Sequence, residues 1–339
     1  MGDQVRVALI GAGRIGQRHA ATLASAIPGA DLAVIVDVQG AAAEALARRV
    51  RCDAWSADPL AVIDDPDIDA IVIASSTDSH APLIIAAAAA GKQIFCEKPI
   101  ALDLEATDRA LSAVDAAGVR LQMGFQRRFD KAYHKAKDLI DSGALGRVEM
   151  IHDAMRDPSP APKSYLETSG GLYRDMTIHN FDCVRWLMGE EVSEVFAMAS
   201  AIVSPVIKEL GDVDTSVVSL RFASDGLAVI DNSRRAGFGY DVRTEVFGSE
   251  GSLMIGYSRE TPMLRFDAQG VHSDHIHWFL ERFDQAYVDE LRVFVDSIID
   301  GTPPPVDGND ARAAMVLAYA AEASRQENRP VSPARFARA

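Results

Sequence analysis

The chain is poor in cysteine, in positive charge and in long apolar runs, and each shortage narrows what it does. Its three cysteines, Cys52, Cys96 and Cys183, stand far apart with no CxxC spacing. They support neither a disulfide framework nor a structural zinc site, and they fit a reducing compartment. Lysine and arginine number 34 against 49 acidic residues, a formal net charge of −15. A surface of that sign disfavours nucleic acid and anionic membranes as partners. It leaves room for a small neutral substrate, and for an anionic cofactor held by a local array of backbone donors. The longest apolar run, APLIIAAAAAG, is too short and too rich in alanine to span a bilayer. The first residues lead almost directly into an apolar strand with no basic segment, apolar core and cleavage site, so a cytoplasmic location is the expectation.

A length of 339 residues suits two domains. In the first third, short runs of Val, Ile and Leu (VRVALI, LAVIVDV, DAIVIAS, KQIFCEK, VRLQMGF) alternate with alanine-rich helical segments starting near Arg14, Ala41, Ala81 and Leu104. Continuous apolar strands separated by helices read as a parallel sheet buried on both faces, a doubly wound α/β domain over residues 1–124. From residue 125 to 339 the rhythm changes. A helix at 131–142 and a strand RVEMIHDAM lead into a proline-rich loop and a further helix. Then come the strands TSVVSLRF and LAVIDNSRR and a hairpin across GSEG in RTEVFGSEGSLMIG, and two helices follow. That order predicts an α+β domain with a large, mostly antiparallel open sheet, whose final helices can pack back on the first domain.

GAGRIG, from Gly11 to Gly16, matches G-x-G-x-x-G between a predicted strand and a predicted helix at the head of a βαβ series, the setting in which the pattern carries information. Gly11 permits the tight turn, Gly13 lets backbone approach a pyrophosphate, and Gly16 lets helix pack on strand. Ala12, Arg14 and Ile15 complete the loop, and the helix N-terminus offers its amides to phosphate. Asp37, followed by Val38, ends the second strand about 20 residues past the last glycine, where a carboxylate accepts hydrogen bonds from ribose hydroxyls. A 2′-phosphate would meet like charge there, so NAD is expected over NADP. Arg48 and Arg49 lie in the next helix and read as surface charges.

YRDMTIHNFD, Tyr173 to Asp182, places acids and a histidine in a helix that must also bury Met176, Ile178 and Phe181. At four residues' spacing Asp175 can reach His179, with Asp182 continuing the face: either a general base with an orienting carboxylate, or an ordinary ion pair on an exposed polar face.

In FCEKPI, Glu97, Lys98 and Pro99 follow the fifth strand, at the carboxyl edge of the sheet. Together with GAGRIG, GFQRRFD, GGLYRDMTIHNFD and SRRAGFGYDVRTEVFGSEGSL, this motif resembles the glucose-fructose oxidoreductase/inositol dehydrogenase (Gfo/Idh/MocA) family, nearest to its inositol 2-dehydrogenases. The resemblance implies a catalytic triad of Lys98, Asp175 and His179. It implies NAD contacts from Ser76, Thr77, His80, Glu97 and Lys98. It also implies substrate contacts from Lys98, Arg127, Asp157, Asp175, His179 and Tyr240. Arg127 could instead be a structural ion-pair partner, Tyr240 a core aromatic, and His80 a local cap. The implied reaction is oxidation of a secondary hydroxyl of a cyclic polyol, myo-inositol first, in a homotetramer built on the open sheet face. Imidazole suits the base, because the step removes a hydroxyl proton near neutral pH as hydride departs. A lysine beside the developing alkoxide favours it. Asn180 departs from the family, in which an acid commonly follows the histidine. His272, His275 and His277 form a loose cluster that reads as a polar loop, and no metal is expected. A glycoside-cleaving NAD enzyme and a non-catalytic dinucleotide sensor are the competing classes.

Overall fold

A computed structural model describes residues 4–256 and 258–338 and resolves them into two compact units. The first comprises Met1–Phe129 with Gln285–Ala313, and the second Asp130–Asp284 with Ala314–Ala339. The division expected at Gly124 therefore falls at Phe129, and a C-terminal segment returns to the first unit. The cause is apolar burial. Leu291, Phe294 and Val295 of the helix Asp284–Ile299 share one core with Val7, Leu9, Ile35, Val72 and Phe95. Fully burying each large aliphatic or aromatic side chain is worth roughly 1.5–3 kcal/mol.

The first unit holds a wholly parallel sheet of β1 (Val5–Ile10), β2 (Ala30–Val36), β3 (Trp55–Ser56), β4 (Ala70–Ile73), β5 (Gln93–Glu97) and β6 (Leu121–Gly124), in the order β3-β2-β1-β4-β5-β6. All four residues of β4 and of β6 are buried, as strands covered by helices on both faces must be. The order reverses between β1 and β4, and the carboxyl ends of strands at such a switch point are where doubly wound sheets bind ligands. The helix after β4 begins at Thr77 rather than Ala81 and runs through Pro82. Ser76 starts it one turn earlier than a proline-led start would.

The second unit is built on a mixed sheet of β7 (Val148–Arg156), β8 (Val192–Ser200), β9 (Thr215–Phe222), β10 (Leu227–Ser233), β11 (Asp241–Gly248) and β12 (Ser252–Ile255), ordered β12-β11-β7-β10-β9-β8. Of its pairings only β7 with β10 is parallel. Strand β9 alternates buried and exposed residues along TSVVSLRF, so one sheet face is packed and the other open. On the open face Met150, Met198, Val217, Leu227, Phe247 and Met254, one from each strand, stay exposed. A separate hairpin of β13 (Leu264–Asp267) and β14 (Gly270–Ser273) was not anticipated, and its strands are exposed throughout. Among the described residues, no helix is long and apolar enough to cross a membrane.

Candidate active site

The residues singled out in the sequence divide between the two units, and each group is described within its own unit. In the first, β1 delivers the chain into Gly11 at φ 110°, a left-handed conformation. A Cβ on Gly11 would lie 2.5 Å from the Ala74 backbone, and one on Gly16 1.9 Å from the Gly11 carbonyl oxygen. Both glycines are therefore demanded by close packing of the loop on the sheet. Gly13 differs, for a Cβ there would meet nothing within 4 Å. Its missing side chain leaves open space at the start of the helix Arg14–Ser25, which has no side-chain cap and no acid in its first turn. Amides left without such competitors form an anion cradle.

Asp37 accepts the Ala12 N–H on one carboxylate oxygen and the Gln39 N–H on the other, each at 2.8 Å. The carboxylate thus fixes the glycine loop to the end of β2, and each oxygen keeps a lone pair for a ribose hydroxyl. Val38 beside it is 79% exposed, an apolar surface suited to a flat aromatic base. Ser76, exposed at the head of the helix Thr77–Ala89, makes no capping bond with its side chain. The open cradle, the two-handed aspartate and the uncapped helix fit a dinucleotide.

His80 has a different place. It is buried, with Nδ1 2.7 Å from the Pro99 carbonyl oxygen and Nε2 3.2 Å from that of Ser75. Burial lowers its pKa, and the neutral ring with its proton on Nδ1 suits the shorter contact. The side chain ties its helix to the Lys98–Pro99 turn, whose peptide is cis, and presents no ring nitrogen outward. Glu97 likewise turns inward, Oε1 lying 2.8 Å from His19 Nε2. Lys98, next in the chain, is half-buried. Arg127, expected at a pocket mouth, is 1% exposed in the short 3-10 turn Gln126–Phe129.

In the second unit the D-x-x-x-H segment is not one regular helix. Tyr173–Thr177 form a wide π-helical turn, and the α-helix proper is Ile178–Met188. Such turns shift side chains off the regular four-residue face and recur at functional sites. The chain enters it through Gly170 and Gly171, at φ 82° and 87°. A side chain on Gly171 would strike Asp212, whose carboxylate accepts the Leu172 N–H at 3.1 Å. An exposed polar face is ruled out by burial: His179 is 8% exposed, Asp182 1% and Asn180 0%.

Asp175 accepts a hydrogen bond from the Tyr165 hydroxyl at 2.7 Å and another from the Arg234 guanidinium at 3.1 Å. Burial by itself would lower the Arg234 pKa, but the charges of Asp175 and Asp157 outweigh it and hold the guanidinium cationic. Tyr165 is half-exposed, yet its hydroxyl end is enclosed, and burial followed by the Asp175 charge raises its pKa. Asp157, at the end of β7, belongs to the same field. Its amide bonds the Ser233 carbonyl, which fixes the loop beside Arg234. Neither Tyr165 nor Arg234 was foreseen. Arg234 lies inside SRRAGFGY, but nothing in the spacing says which arginine turns inward; Tyr165 follows prolines in a segment with no periodicity at all.

Asn180 has a physical account. Its amide nitrogen donates to Asp153 Oδ2 at 2.7 Å, and its oxygen accepts from Asn232 at 3.0 Å. Asp153 also accepts from Thr244 at 2.6 Å, and Thr177 donates to Asn232 at 2.7 Å. An acid at 180 would face the buried Asp153 carboxylate, whereas the amide supplies the donor this network needs. Tyr240 is a core aromatic, its ring edge-on to Phe279 and Phe283, each 6.4 Å away. His272 pairs with Asp267 in the exposed hairpin, and His275 stacks obliquely on Phe238. His272 and His275 are thus engaged separately.

Residues 5–125 match the model of an oxidoreductase family with an NAD-binding Rossmann fold, and residues 133–254 match the GFO/IDH/MocA C-terminal domain. The chain belongs to the GFO/IDH/MocA family. As a member it is an NAD-dependent oxidoreductase acting on CH–OH groups. It is 44% identical to a myo-inositol 2-dehydrogenase of Thermotoga maritima over 96% of this chain and 98% of that one. The solved myo-inositol dehydrogenase of Corynebacterium glutamicum superposes at TM-score 0.92 with 38% identity, covering 97% of this chain and 98% of that one. The scyllo-inositol dehydrogenase of Lactobacillus casei, solved with NAD(H) and scyllo-inositol, superposes at TM-score 0.93 with 30% identity, covering 98% and 100%. These likenesses extend over both units, so the α/β cofactor domain and the open-sheet domain are both family features.

Proposed function

We propose that this family member oxidises a secondary hydroxyl of a cyclic polyol, myo-inositol first, to the corresponding ketone. The observation that carries the reading is the partly buried Asp175, held by Arg234 and Tyr165 and set four residues before the buried His179. The fixed, charge-compensated carboxylate serves the desolvated imidazole in this reading, because a carboxylate stabilises the imidazolium as it forms. In this reading His179 takes the hydroxyl proton, Asp175 orients it, and the Lys98 ammonium lowers the cost of the alkoxide. NAD supplies the hydride acceptor. Gly11 to Gly16, Asp37, Val38, Ser76 and Thr77 hold it. Of the three further substrate positions, Asp157 is the best suited to accept polyol hydroxyls, since it is partly exposed next to Arg234. Arg127 and Tyr240, both buried, serve as supports.

The names of the relatives favour an inositol over an open-chain polyol, and net oxidation over glycoside cleavage. We further propose a cytoplasmic homotetramer assembled through the open sheet face, since six exposed apolar side chains on six neighbouring strands make a patch that a monomer rarely leaves uncovered. The test is initial-rate NADH formation with myo-inositol, scyllo-inositol, D-chiro-inositol, glucose and xylose, NAD and NADP in parallel, with the mass in solution measured alongside. Turnover of an inositol with NAD is expected. Bound NADH with silence on every free polyol would overturn the reading in favour of a glycoside-cleaving enzyme or a sensor.

A further inference from the structure

Behind the Lys98 turn, inside the first unit, lies a cluster the reaction above does not use. His19 of the glycine-loop helix, Glu97 at the end of β5 and Glu290 of the helix Asp284–Ile299 bring one ring nitrogen and two carboxylate oxygens within 4.8 Å of one another. His19 and Glu290 are 0% exposed, and the Glu97 side chain 13%. Only one hydrogen bond is made among them, His19 Nε2 to Glu97 Oε1 at 2.8 Å. Among the described residues neither carboxylate oxygen of Glu290 has a hydrogen-bond partner. Its backbone carbonyl is held by the Gln122 side chain of β6 at 2.7 Å, so the helix turn that carries it is fixed. On β6 as well, Gly124 pairs with Glu97, and a Cβ there would come within 2.9 Å of Glu97 Oε2. The glycine is what lets the Glu97 side chain lie inward.

Two carboxylates this close do not both stay ionised. Burial, and then the charge of Glu97, push the Glu290 carboxyl well above the glutamate range. The groups that face it are Glu97 from β5 and His19 from the glycine-loop helix, with the Tyr287 ring edge-on to His19 one turn earlier on its own helix.

We infer that Glu290 is a positioning residue: it clasps Glu97 against His19, and so fixes the turn that presents Lys98. A Glu290 oxygen lies within 4.8 Å of a Glu97 oxygen, and that is the separation the clasp closes. The clasp then joins three elements, the helix that carries the glycine loop, the strand that ends at Lys98 and the returning C-terminal helix. This explains a Glu97 that faces inward although its neighbour is catalytic. The inference rests on the functional reading above for the role of Lys98.

The test compares Glu290→Gln, Glu290→Asp and Glu290→Leu for kcat and KM on the best inositol, NADH affinity and melting temperature. Metal content of the enzyme as purified is measured as well. Glutamine keeps a neutral donor at the same reach, so kcat within about threefold of the parent is expected, whereas leucine lowers kcat by up to about 100-fold, the scale of a catalytic group displaced by an ångström. NADH affinity stays within about threefold in each, because the phosphate cradle is untouched. Aspartate, one methylene short, falls between the two and keeps the comparison informative where leucine fails to fold. A glutamine variant as impaired as leucine, or a leucine variant that folds and turns over normally, overturns the clasp. So does a stoichiometric divalent metal whose removal abolishes turnover. A parent enzyme inactive on every polyol overturns the functional reading, and the clasp is then decided by melting temperature: glutamine near the parent supports it, glutamine as low as leucine overturns it.

Discussion

Gly13 and Asp175 show two ways of building a site in one chain. At Gly13 the candidate site is open by omission: no side chain, no cap and no acid stand in the way of the helix amides. Every participant lies within a few residues, so a short motif describes it. At Asp175 the site is prepared by addition, with Tyr165 ten residues before and Arg234 fifty-nine residues after converging on one carboxylate. A backbone site depends on local conformation, and a side-chain site depends on which distant strand ends arrive beside it. The first kind is lost through its own backbone, whereas the second weakens when a distant partner is lost, most of all the charged one.

The strongest way to separate the two is to remove the chemistry from each unit in turn. His179→Ala and Lys98→Ala should each lower kcat by about 10²–10⁴-fold, the usual range for a general base or an electrostatic partner. NADH affinity should stay near the parent's in a fluorescence titration. Full turnover in either variant would remove that residue from the mechanism.

Next in size is the clamp. Arg234→Met leaves the partly buried Asp175 without its guanidinium and should cost about 3 kcal/mol in denaturant unfolding, the lower end for a broken buried pair. Tyr165→Phe removes a single hydrogen bond at a half-exposed ring and should cost about 1 kcal/mol. Equal losses from the two substitutions would contradict a clamp dominated by the ion pair.

The glycines give a smaller and sharper contrast. Gly16→Ala meets backbone at 1.9 Å and should lower the melting temperature, at a cost of about 1–3 kcal/mol or more. Gly13→Ala has space for its methyl and ordinary backbone angles, φ −69°, so stability should hold. The methyl occupies the phosphate's approach, and KM for NAD should rise about tenfold, the loss of one charge-assisted hydrogen bond. A Gly13→Ala enzyme with parental KM would show that the open space is not the cradle.

The smallest expected effect is a slope with pH. Glu290 has its carboxyl raised in the folded state, so above the ordinary glutamate range the folded protein binds more protons than the unfolded one. That contribution is fully present below the unfolded value and is lost as pH rises through the folded one. Glutamine carries no such dependence. The melting temperature of Glu290→Gln relative to the parent should therefore climb between pH 5 and pH 8. A gap that stays flat would mean that Glu290 is not held neutral by the fold.

The amino-acid order by itself determined the features whose causes are local. Continuous Val/Ile/Leu runs specified the parallel strands, because both faces of that sheet are covered. Glycines at 11, 13 and 16 between a strand and a helix marked a tight loop packed on the sheet, and Asp37, at the end of the next strand, bonds to it. The spacing of Asp175 and His179 drew attention to a buried segment, but regular helical geometry does not describe it, since a π turn intervenes. Only the tertiary structure decided that His80 secures the Lys98–Pro99 turn, that Arg127 and Tyr240 are buried, and that the unit boundary is crossed by the returning helix 284–299. It also chose which of many tyrosines and arginines reach Asp175, and it placed Glu290 beside Glu97. These are outcomes of long-range packing. A residue's own neighbours in sequence limit its backbone, but which side chain compensates a buried charge is settled by the strands and helices that the apolar core brings together.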